Sequence, residues 1–279
     1  MLGLAALTCS CDGNDEPVVN PPQYRISWIY SDAAYQVFEY DNAGRIAEWN
    51  FKGAANMSVE STFDYQEDSN SIKIKSEEKL TDKDEWTFDE ILYLNTDGTA
   101  SRAEGTVILS TDGSRMTKNY TADFKYNSSR QLTKINTSEA VVNDYGQTGK
   151  PLEWAVELDW KDNNLVKYTE YSNPDYPMTI REYEYFGGQT ADFLPIVQGC
   201  IFRRYYLPLQ YQGVLGTNSV GMVKTMEVVS NNSDITTDYS YKMSSSIYSS
   251  FVKEYTELRN GRESVYTVGW DSKAKTVGN

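Results

Sequence analysis

Apolar and polar residues alternate with a period of two through most of the chain. In residues 153–160 large apolar side chains alternate with acidic ones, which is typical of a β-strand with one buried face and one wet face. The same alternation in the first strand predicts that Tyr24, Ile26, Trp28 and Tyr30 share one face. No long stretch has the spacing and caps of a helix, so the pattern predicts an all-β fold.

One element recurs between the strands: an aromatic residue at a strand end, a polar turn, and a new strand. Residues 40–46 (YDNAGRI) and 93–99 (YLNTDGT) show this element clearly. Asn, Asp and Gly suit hairpin turns, because they tolerate positive φ or bond to their own backbone. The aromatic residues that mark these strand ends are Tyr40, Tyr65, Tyr93, Tyr126, Trp160, Tyr185, Tyr241 and Trp270.

These marker aromatics follow one another at intervals of 25 to 34 residues, with a single interval of 56. A period of about 28 residues corresponds to one two-stranded hairpin and its connection. We interpret the long interval as two units, one of them missing or disguised. The repeat predicts a large antiparallel hairpin meander with a coiled or barrel-like sheet, because a growing sheet twists and tends to curl or close.

The alternation fails near residues 187–219, where apolar residues cluster and Pro195 and Pro208 interrupt the chain. We expect a short irregular or helical insertion there, packed over one end of the sheet or into its concavity. Long irregular segments are often functional, so this insertion is the favoured place for a binding site.

The N-terminus is typical of an export signal. Residues 1–8 form a short apolar run that ends in small residues just before two cysteines, and acidic residues follow. We expect Cys11 to carry a lipid anchor, with Cys9 as the alternative. The run lacks a preceding Lys or Arg and is short for a signal peptide, which we attribute to a truncated start; a frayed terminus with incidental cysteines is the competing interpretation.

Composition excludes several chemistries. The 279 residues include no histidine, so catalysis through a Ser-His-Asp or Cys-His arrangement and His-ligated metal sites are impossible. The formal net charge of −14 argues against a nucleic-acid partner, which needs a basic surface. Three cysteines, two of them near the N-terminus, do not make a disulfide framework, and Cys200 is most simply a small buried apolar residue.

Three further sets of residues are candidates for chemistry. Two carboxylates suffice for glycoside hydrolysis, although a solvated sheet face is the simpler interpretation of the acidic strand residues Glu153, Glu157, Glu182 and Glu184. Residues 95–98 resemble part of a calcium loop but lack its full set of oxygen ligands, so a hairpin turn is the better interpretation. Aromatic faces can stack on sugar rings, although core packing is expected for most of Trp28, Trp49, Trp86, Trp154, Trp160 and Trp270.

The turns of the form aromatic-Asp-x-x-Gly-Arg-Ile resemble the tyrosine-aspartate hairpin repeats of large bacterial surface and toxin proteins. The order of cysteine signal, repeated hairpins, interrupting segment and tyrosine-rich final strands resembles, over residues 24–271, a family of lipoproteins from gut anaerobes. That family is a domain of unknown function with a porin-like fold. The resemblance implies a fold and a place in the cell envelope, and it brings no activity or catalytic residues. The acidic stretch after Cys11 also resembles the signal that sends some lipoproteins to the cell surface.

We therefore expect a signal remnant at 1–11, an acidic tether at 12–23 and a single β-repeat domain at 24–279. The expected function is that of a non-enzymatic binding or scaffold module, an outer-membrane lipoprotein exposed at the cell surface. Its partner would be a glycan or another envelope protein, and it would need no cofactor or metal and meet the membrane only through its lipid anchor. A carboxylate-based glycoside hydrolase and an outer-membrane β-barrel remain as alternatives.

Overall fold

The computed structural model is a closed barrel of sixteen antiparallel strands. It describes residues 23–54, 56–173, 176–190, 203–230, 233–245 and 250–273. Each strand pairs with the next along the chain, and the first strand pairs with the last to close the wall. The predicted all-β meander is therefore confirmed, and the sheet closes.

The first five strands have six to nine residues each, and the later ones have ten to fifteen. They are β1 Gln23–Tyr30, β2 Tyr35–Tyr40, β3 Ile46–Lys52, β4 Ser58–Gln66, β5 Ser71–Lys79, β6 Asp84–Leu94, β7 Ala100–Thr111, β8 Ser114–Tyr126, β9 Leu132–Val142, β10 Leu152–Lys161, β11 Asn164–Asn173, β12 Tyr176–Thr190, β13 Gly221–Ser230, β14 Ser233–Ser245, β15 Ser250–Arg259 and β16 Arg262–Lys273. Within the described residues, a short helix, α1 Tyr206–Tyr211, lies between β12 and β13, and a 3-10 turn, Glu67–Ser69, joins β4 to β5.

Every marker aromatic lies on an even-numbered strand, one for each hairpin. Tyr185 is on β12 and Tyr241 is on β14, so these two markers belong to consecutive hairpins. The interpretation of their 56-residue interval as two repeat units was therefore wrong. The extra length is the connection between β12 and β13, which contains α1.

The marker aromatics share a structural role at one rim of the barrel, which we call the marker rim. Several of their side chains donate a hydrogen bond to a backbone carbonyl of the preceding strand, at donor–acceptor distances of 2.6 to 2.9 Å: Tyr40, Trp160, Tyr185, Tyr241 and Trp270. The ring packs against the core while its polar tip finds a partner, which is why Tyr and Trp suit this position. Register shifts occur at Tyr40, Trp160 and Tyr185, in keeping with the enrichment of β-bulges at barrel rims.

The wall is apolar inside and polar outside. Inward positions of neighbouring strands are filled by residues such as Ile74, Phe88, Val107 and Phe124, which are buried. Outward positions of β5 are Lys73, Lys75, Glu77 and Lys79, and those of β14 are Asp234, Thr236, Asp238, Ser240 and Lys242; all of them are exposed. The predicted face of β10 is also confirmed, because Val156 and Leu158 are buried among the core residues.

The prediction that residues 24–30 keep one face is wrong. A register shift lies between Ile26 and Trp28 in the pairing of β1 with β16. The extra residue reverses the alternation, so Ile26 and Ile29 are buried while Trp28 and Tyr30 are exposed.

The contribution of a marker aromatic's hydrogen bond to stability can be tested by removing its hydroxyl group. Tyr241→Phe removes the donor that reaches the Val223 carbonyl at 2.9 Å, and we expect the free energy of unfolding to fall by about 1 kcal/mol. Tyr145→Phe is the control, because Tyr145 is 89% exposed and its hydroxyl is solvated. Urea denaturation of the two variants checks this, and an equal effect of both would contradict the role assigned to the marker aromatics.

Candidate functional site

Residues 203–220, which we call the plug, enter the interior of the barrel from the marker rim, and their central part is buried there. Helix α1 lies in this segment, and the residues from Tyr205 to Gln210 are all buried. The predicted helical insertion is thus confirmed as a packed element inside the concavity. Its first part differs from the expectation, because β12 continues as a strand to Thr190. Residues 191–202, with Cys200, lie outside the described residues.

The rings of the plug contact widely separated parts of the wall. The ring centroids of Tyr205 and Phe88 are 5.2 Å apart, and those of Tyr206 and Phe124 are 6.0 Å apart. At the other end of α1, Tyr211 lies 5.7 Å from Phe38 on β2. Because β2, β6 and β8 are different parts of the wall, the plug spans the lumen between them.

A buried carboxylate, Glu90 of β6, holds the plug. Its side chain is 1% exposed and accepts hydrogen bonds from three phenols. Tyr206 donates to Oε1 at 2.7 Å, while Tyr205 and Tyr120 donate to Oε2 at 2.8 and 2.7 Å. Two of these tyrosines belong to the plug and the third to β8, so Glu90 joins the plug to the wall by hydrogen bonds.

Burial controls the protonation of this cluster. It raises the pKa of Glu90, although the bonds from the three phenols and the charge of Arg203 act in the opposite direction. Burial and the neighbouring Glu90 also raise the pKa values of the Tyr205 and Tyr206 hydroxyls well above the ordinary 10.0. The phenols therefore stay protonated, as donors must, at every physiological pH.

Arg203 continues the polar contacts towards β9. Its Nη2 lies 2.7 Å from Oε1 of Glu139, and Lys118 Nζ lies 3.3 Å from the other oxygen of that carboxylate. The guanidinium carbon also lies 4.6 Å from the ring centroid of Tyr120 and 5.1 Å from that of Phe88. Arg203 therefore makes both cation–π and ionic contacts in a mostly buried position.

Arg204 faces a second buried acid, Glu78 of β5. The distance from Arg204 Nη1 to Glu78 Oε2 is 3.8 Å, and the Sδ atom of Met57 lies 3.4 Å from the same nitrogen. Burial raises the pKa of Glu78, and the charges of Arg204 and Arg203 lower it. Successive arginines at the start of the plug thus face acids on different strands.

The end of the plug is fixed to the turns of the marker rim. The Val214 carbonyl accepts from Ala100 N at 2.7 Å, and the Arg130 carbonyl accepts from Thr217 N at 2.8 Å. Gly216 has φ +93, and a Cβ there would lie 2.3 Å from the Arg130 carbonyl oxygen, so only glycine fits. This end of the plug therefore behaves as part of the wall.

The four predicted acidic candidates lie on the outer wall. Glu157 Oε1 is 2.7 Å from Lys134 Nζ, and Glu182 Oε1 is 3.3 Å from Lys167 Nζ. Glu153 and Glu184 are exposed on the same outward face. Glu153 and Glu157 line one open groove on the outer wall, and Glu182 and Glu184 line another. None of the four carboxylates points into the barrel interior. A solvated sheet face, the simpler interpretation, describes them.

The other predicted sites have equally plain positions. Residues 95–98 form the β6–β7 turn, where Asp97 Oδ1 accepts from the backbone and hydroxyl of Thr99 at 3.0 and 2.7 Å. Trp49 is buried, and four more tryptophans pack against the core: Trp86, Trp154, Trp160 and Trp270. Trp28 is 36% exposed on the outer wall. Cys9 and Cys11 lie outside the described residues.

Glu78, Glu90 and Glu139, which receive the plug, were not predicted. A signal for two of them exists in the sequence, because each occupies an inward position of an alternating strand. Glu90 follows Phe88 at a spacing of two, and Glu78 follows Ile74 at a spacing of four. A carboxylate in the apolar phase of a strand indicates a buried partner, because an unpaired buried charge is too costly.

Solved structures with a similar fold are known. A porin-like protein from Bacteroides uniformis superimposes with a TM-score of 0.56 at 15% sequence identity, covering 88% of this chain and 98% of that chain. A porin-like protein from Bacteroides vulgatus gives a TM-score of 0.52 at 12% identity, with the same coverage. No protein-family model and no curated protein sequence matches the chain. The chain therefore has the fold of these porin-like proteins.

The buried carboxylate predicts a specific pH dependence. The raised pKa of Glu90 means that folding favours its protonated form, so its contribution to stability is present below the ordinary value of 4.5 and is lost as pH rises through the folded pKa. The Glu90→Gln variant stays neutral at every pH. The free energy of unfolding of the variant should therefore rise relative to that of the wild type as the pH increases from 4.5. The gain is about 1.4 kcal/mol for each unit by which the pKa is raised.

Denaturant unfolding between pH 4 and 8 measures this difference. Any destabilisation by the amide that does not depend on pH leaves the slope of the difference against pH unchanged. Glu77→Gln, on the exposed face of β5, is the matched control. Parallel pH profiles for Glu90→Gln and the wild type would contradict the assignment.

Proposed function

We propose that the chain is a non-enzymatic binding or scaffold protein of the bacterial cell envelope, carried on a lipid anchor. The observation that supports this most is the polarity of the barrel. Its lumen is occupied by apolar side chains and the plug, and its outer wall carries charged residues. A molecule built in this way offers its outer surface and its two rims for contact with partners.

The outer wall also bears on the alternative of a membrane-spanning barrel. Membrane barrels carry an apolar band outside and polar residues inside. Here Lys73, Lys75 and Glu77 project outward from the middle of β5, while Ile72 and Ile74 point in. This polarity supports a barrel surrounded by water, although its strand arrangement is porin-like. Helix α1 has six residues, and no helix of the described part of the chain is long and apolar enough to cross a bilayer.

The positions of the carboxylates weigh against the glycoside hydrolase alternative. The acids on the outer wall pair with lysines across the strands, as Glu157 does with Lys134. The acids with raised pKa values point inward, and Glu90 among them is enclosed by the plug and bonded to three phenols. A general acid has to reach its substrate, so we do not propose hydrolysis.

The barrel also suggests how an anchored molecule would be oriented. Gln23 at the start of β1 pairs with Lys273 at the end of β16, on the marker rim. A tether over residues 12–23 would span at most about 40 Å. A lipid on Cys11 would therefore keep the marker rim towards the membrane and present the opposite rim to the surroundings.

The anchor is tested by metabolic labelling with a clickable palmitate analogue in the native bacterium. We expect Cys11→Ala to abolish labelling and membrane retention, because the thiol that accepts the lipid is lost. Cys9→Ala, the matched variant two residues earlier, should keep both. The opposite result would assign the anchor to Cys9, and full labelling of the double variant would refute the lipoprotein proposal.

The barrel's surroundings are tested with protein that begins at Pro22. We expect it to purify without detergent, because its outer wall is charged. In a planar lipid bilayer it should give no conductance steps, because the plug fills the lumen. Obligatory detergent or discrete conductance steps would favour the membrane-spanning alternative instead.

A further inference from the structure

Three exposed rings form what we call the aromatic platform on the outer wall. They are Trp28 and Tyr30 of β1 and Tyr35 of β2, with exposed fractions of 36%, 49% and 42%. Single exposed apolar side chains are common, but aromatic rings that lie side by side on a surface often mark a binding site. The core and the plug do not use these rings.

The backbone holds the platform in a fixed arrangement. The bulge between Ile26 and Trp28 turns Trp28 and Tyr30 outward, and Tyr30 pairs directly with Tyr35 across the β1–β2 hairpin. Ser31 Oγ accepts from the backbone of Ala34 at 3.0 Å and so closes the turn. Residues two apart on a strand lie about 6.6 Å apart on one face, so the rings follow one another along the wall.

The indole of Trp28 lies flat on the wall. A Cβ at Gly269 would lie 2.1 Å from Cε2, 2.2 Å from Nε1 and 2.6 Å from Cδ2 of this ring. These distances place the glycine beneath a face of the indole, in the cross-strand arrangement by which an aromatic residue covers a strand glycine. The opposite face of the ring is turned to solvent, which is the orientation that stacking requires.

The tyrosines complete the platform at the rim away from the tether. The rings of Tyr30 and Tyr35 are 6.2 Å apart with an interplanar angle of 67°. Edge-to-face packing of this kind restrains both rings. Their hydroxyl groups place hydrogen-bonding capacity beside the apolar faces.

The immediate surroundings favour a neutral ligand. The outward neighbours in register are Val37, Thr267 and Gly269, which carry no charge, and Lys52 opposite Tyr35 is a donor. The chain as a whole has a formal net charge of −14, which repels polyanions. A pyranose ring combines an apolar face for stacking with neutral hydroxyls for hydrogen bonds, so it fits both the rings and the charge.

We propose that Trp28, Tyr30 and Tyr35 form a stacking site for the pyranose rings of a neutral polysaccharide. This proposal rests on the proposed function of a binding protein and names its ligand class. The platform lies towards the rim that a lipid anchor would direct away from the membrane, where an extended glycan can reach it.

The test is affinity electrophoresis of the protein beginning at Pro22 in gels that contain a neutral polysaccharide. The probes are amylopectin, galactomannan and mixed-linkage β-glucan, with polygalacturonate as the charged control. We expect retardation by at least one neutral polymer and not by polygalacturonate. Trp28→Ala should weaken that binding roughly tenfold or more, because a central stacking ring is lost.

Further variants separate stacking from a general loss of structure. Gly269→Ala keeps all three rings but forces the indole off the wall, and we expect weaker binding at an unchanged unfolding midpoint. Tyr145→Ala removes an exposed tyrosine in the β9–β10 connection, away from the platform, and should bind like the wild type. Saturable quenching of tryptophan emission should disappear in Trp28→Phe.

Several outcomes would overturn this inference. Polysaccharide binding that survives Trp28→Ala and Tyr35→Ala would refute the platform while leaving a binding protein in place. The absence of binding to every neutral probe would refute the ligand class. A dimer in sedimentation that Trp28→Ala converts to a monomer would show that a second copy covers the rings. Failure of the proposed function itself would appear separately, as conductance or as absent lipid labelling.

Discussion

A barrel of sixteen strands encloses more space than the side chains of its own wall can fill. About eight strands already make an interior that side chains fill, and barrels of sixteen or more ordinarily hold water. This chain fills the space with a segment of its own, so that a wide barrel gains a continuous core. The large inward aromatic residues and the tyrosines of α1 follow from this geometric requirement, because each contributes much buried volume at little conformational entropy.

A plug made only of apolar residues would fill the lumen without fixing its own position. The polar contacts fix the position of the plug, because hydrogen bonds and ion pairs are directional. Glu90 receives its donors from two sides, and Arg203 and Arg204 reach acids on different strands. Such buried networks are costly when a member is missing and specific when all members are present. The interior therefore combines an apolar volume with a few points that define one arrangement.

The relation to porin-like proteins shows how little a strand arrangement says about its surroundings. The chain shares that arrangement at 15% and 12% sequence identity. Residues at alternate positions decide which side meets water, and here the charged side is outside. The same backbone with the opposite pattern would suit a lipid bilayer. Side-chain polarity, more than topology, is thus the feature that supports our functional proposal.

The sequence predicted the hairpins because their signals are local. Turn residues and the period-two pattern can be recognised from residues that are close in the chain. A marker aromatic also recurs on every even-numbered strand. A bulge at Ser27 left no such signal, so the outward position of Trp28 could not be predicted. The cluster around Glu90 was beyond local reasoning as well, because its members are up to 116 residues apart. The interval of 56 residues could not be interpreted correctly from the sequence, because the connection between β12 and β13 is about as long as one repeat unit.

The position of the plug along the chain has a consequence for how the barrel is made. Twelve strands precede residues 203–220 and only four follow, and the ring closes through the pairing of β1 with β16, near the two ends of the described chain. A nascent chain that pairs its strands in order therefore has a long open sheet, with its apolar concave face uncovered and the edge of β1 unpaired, until the plug and the last hairpins follow. Pairing across such a sequence separation is slow, and unpaired edges invite association with other chains. The plug can then serve as an internal template that covers the apolar face before the ring closes.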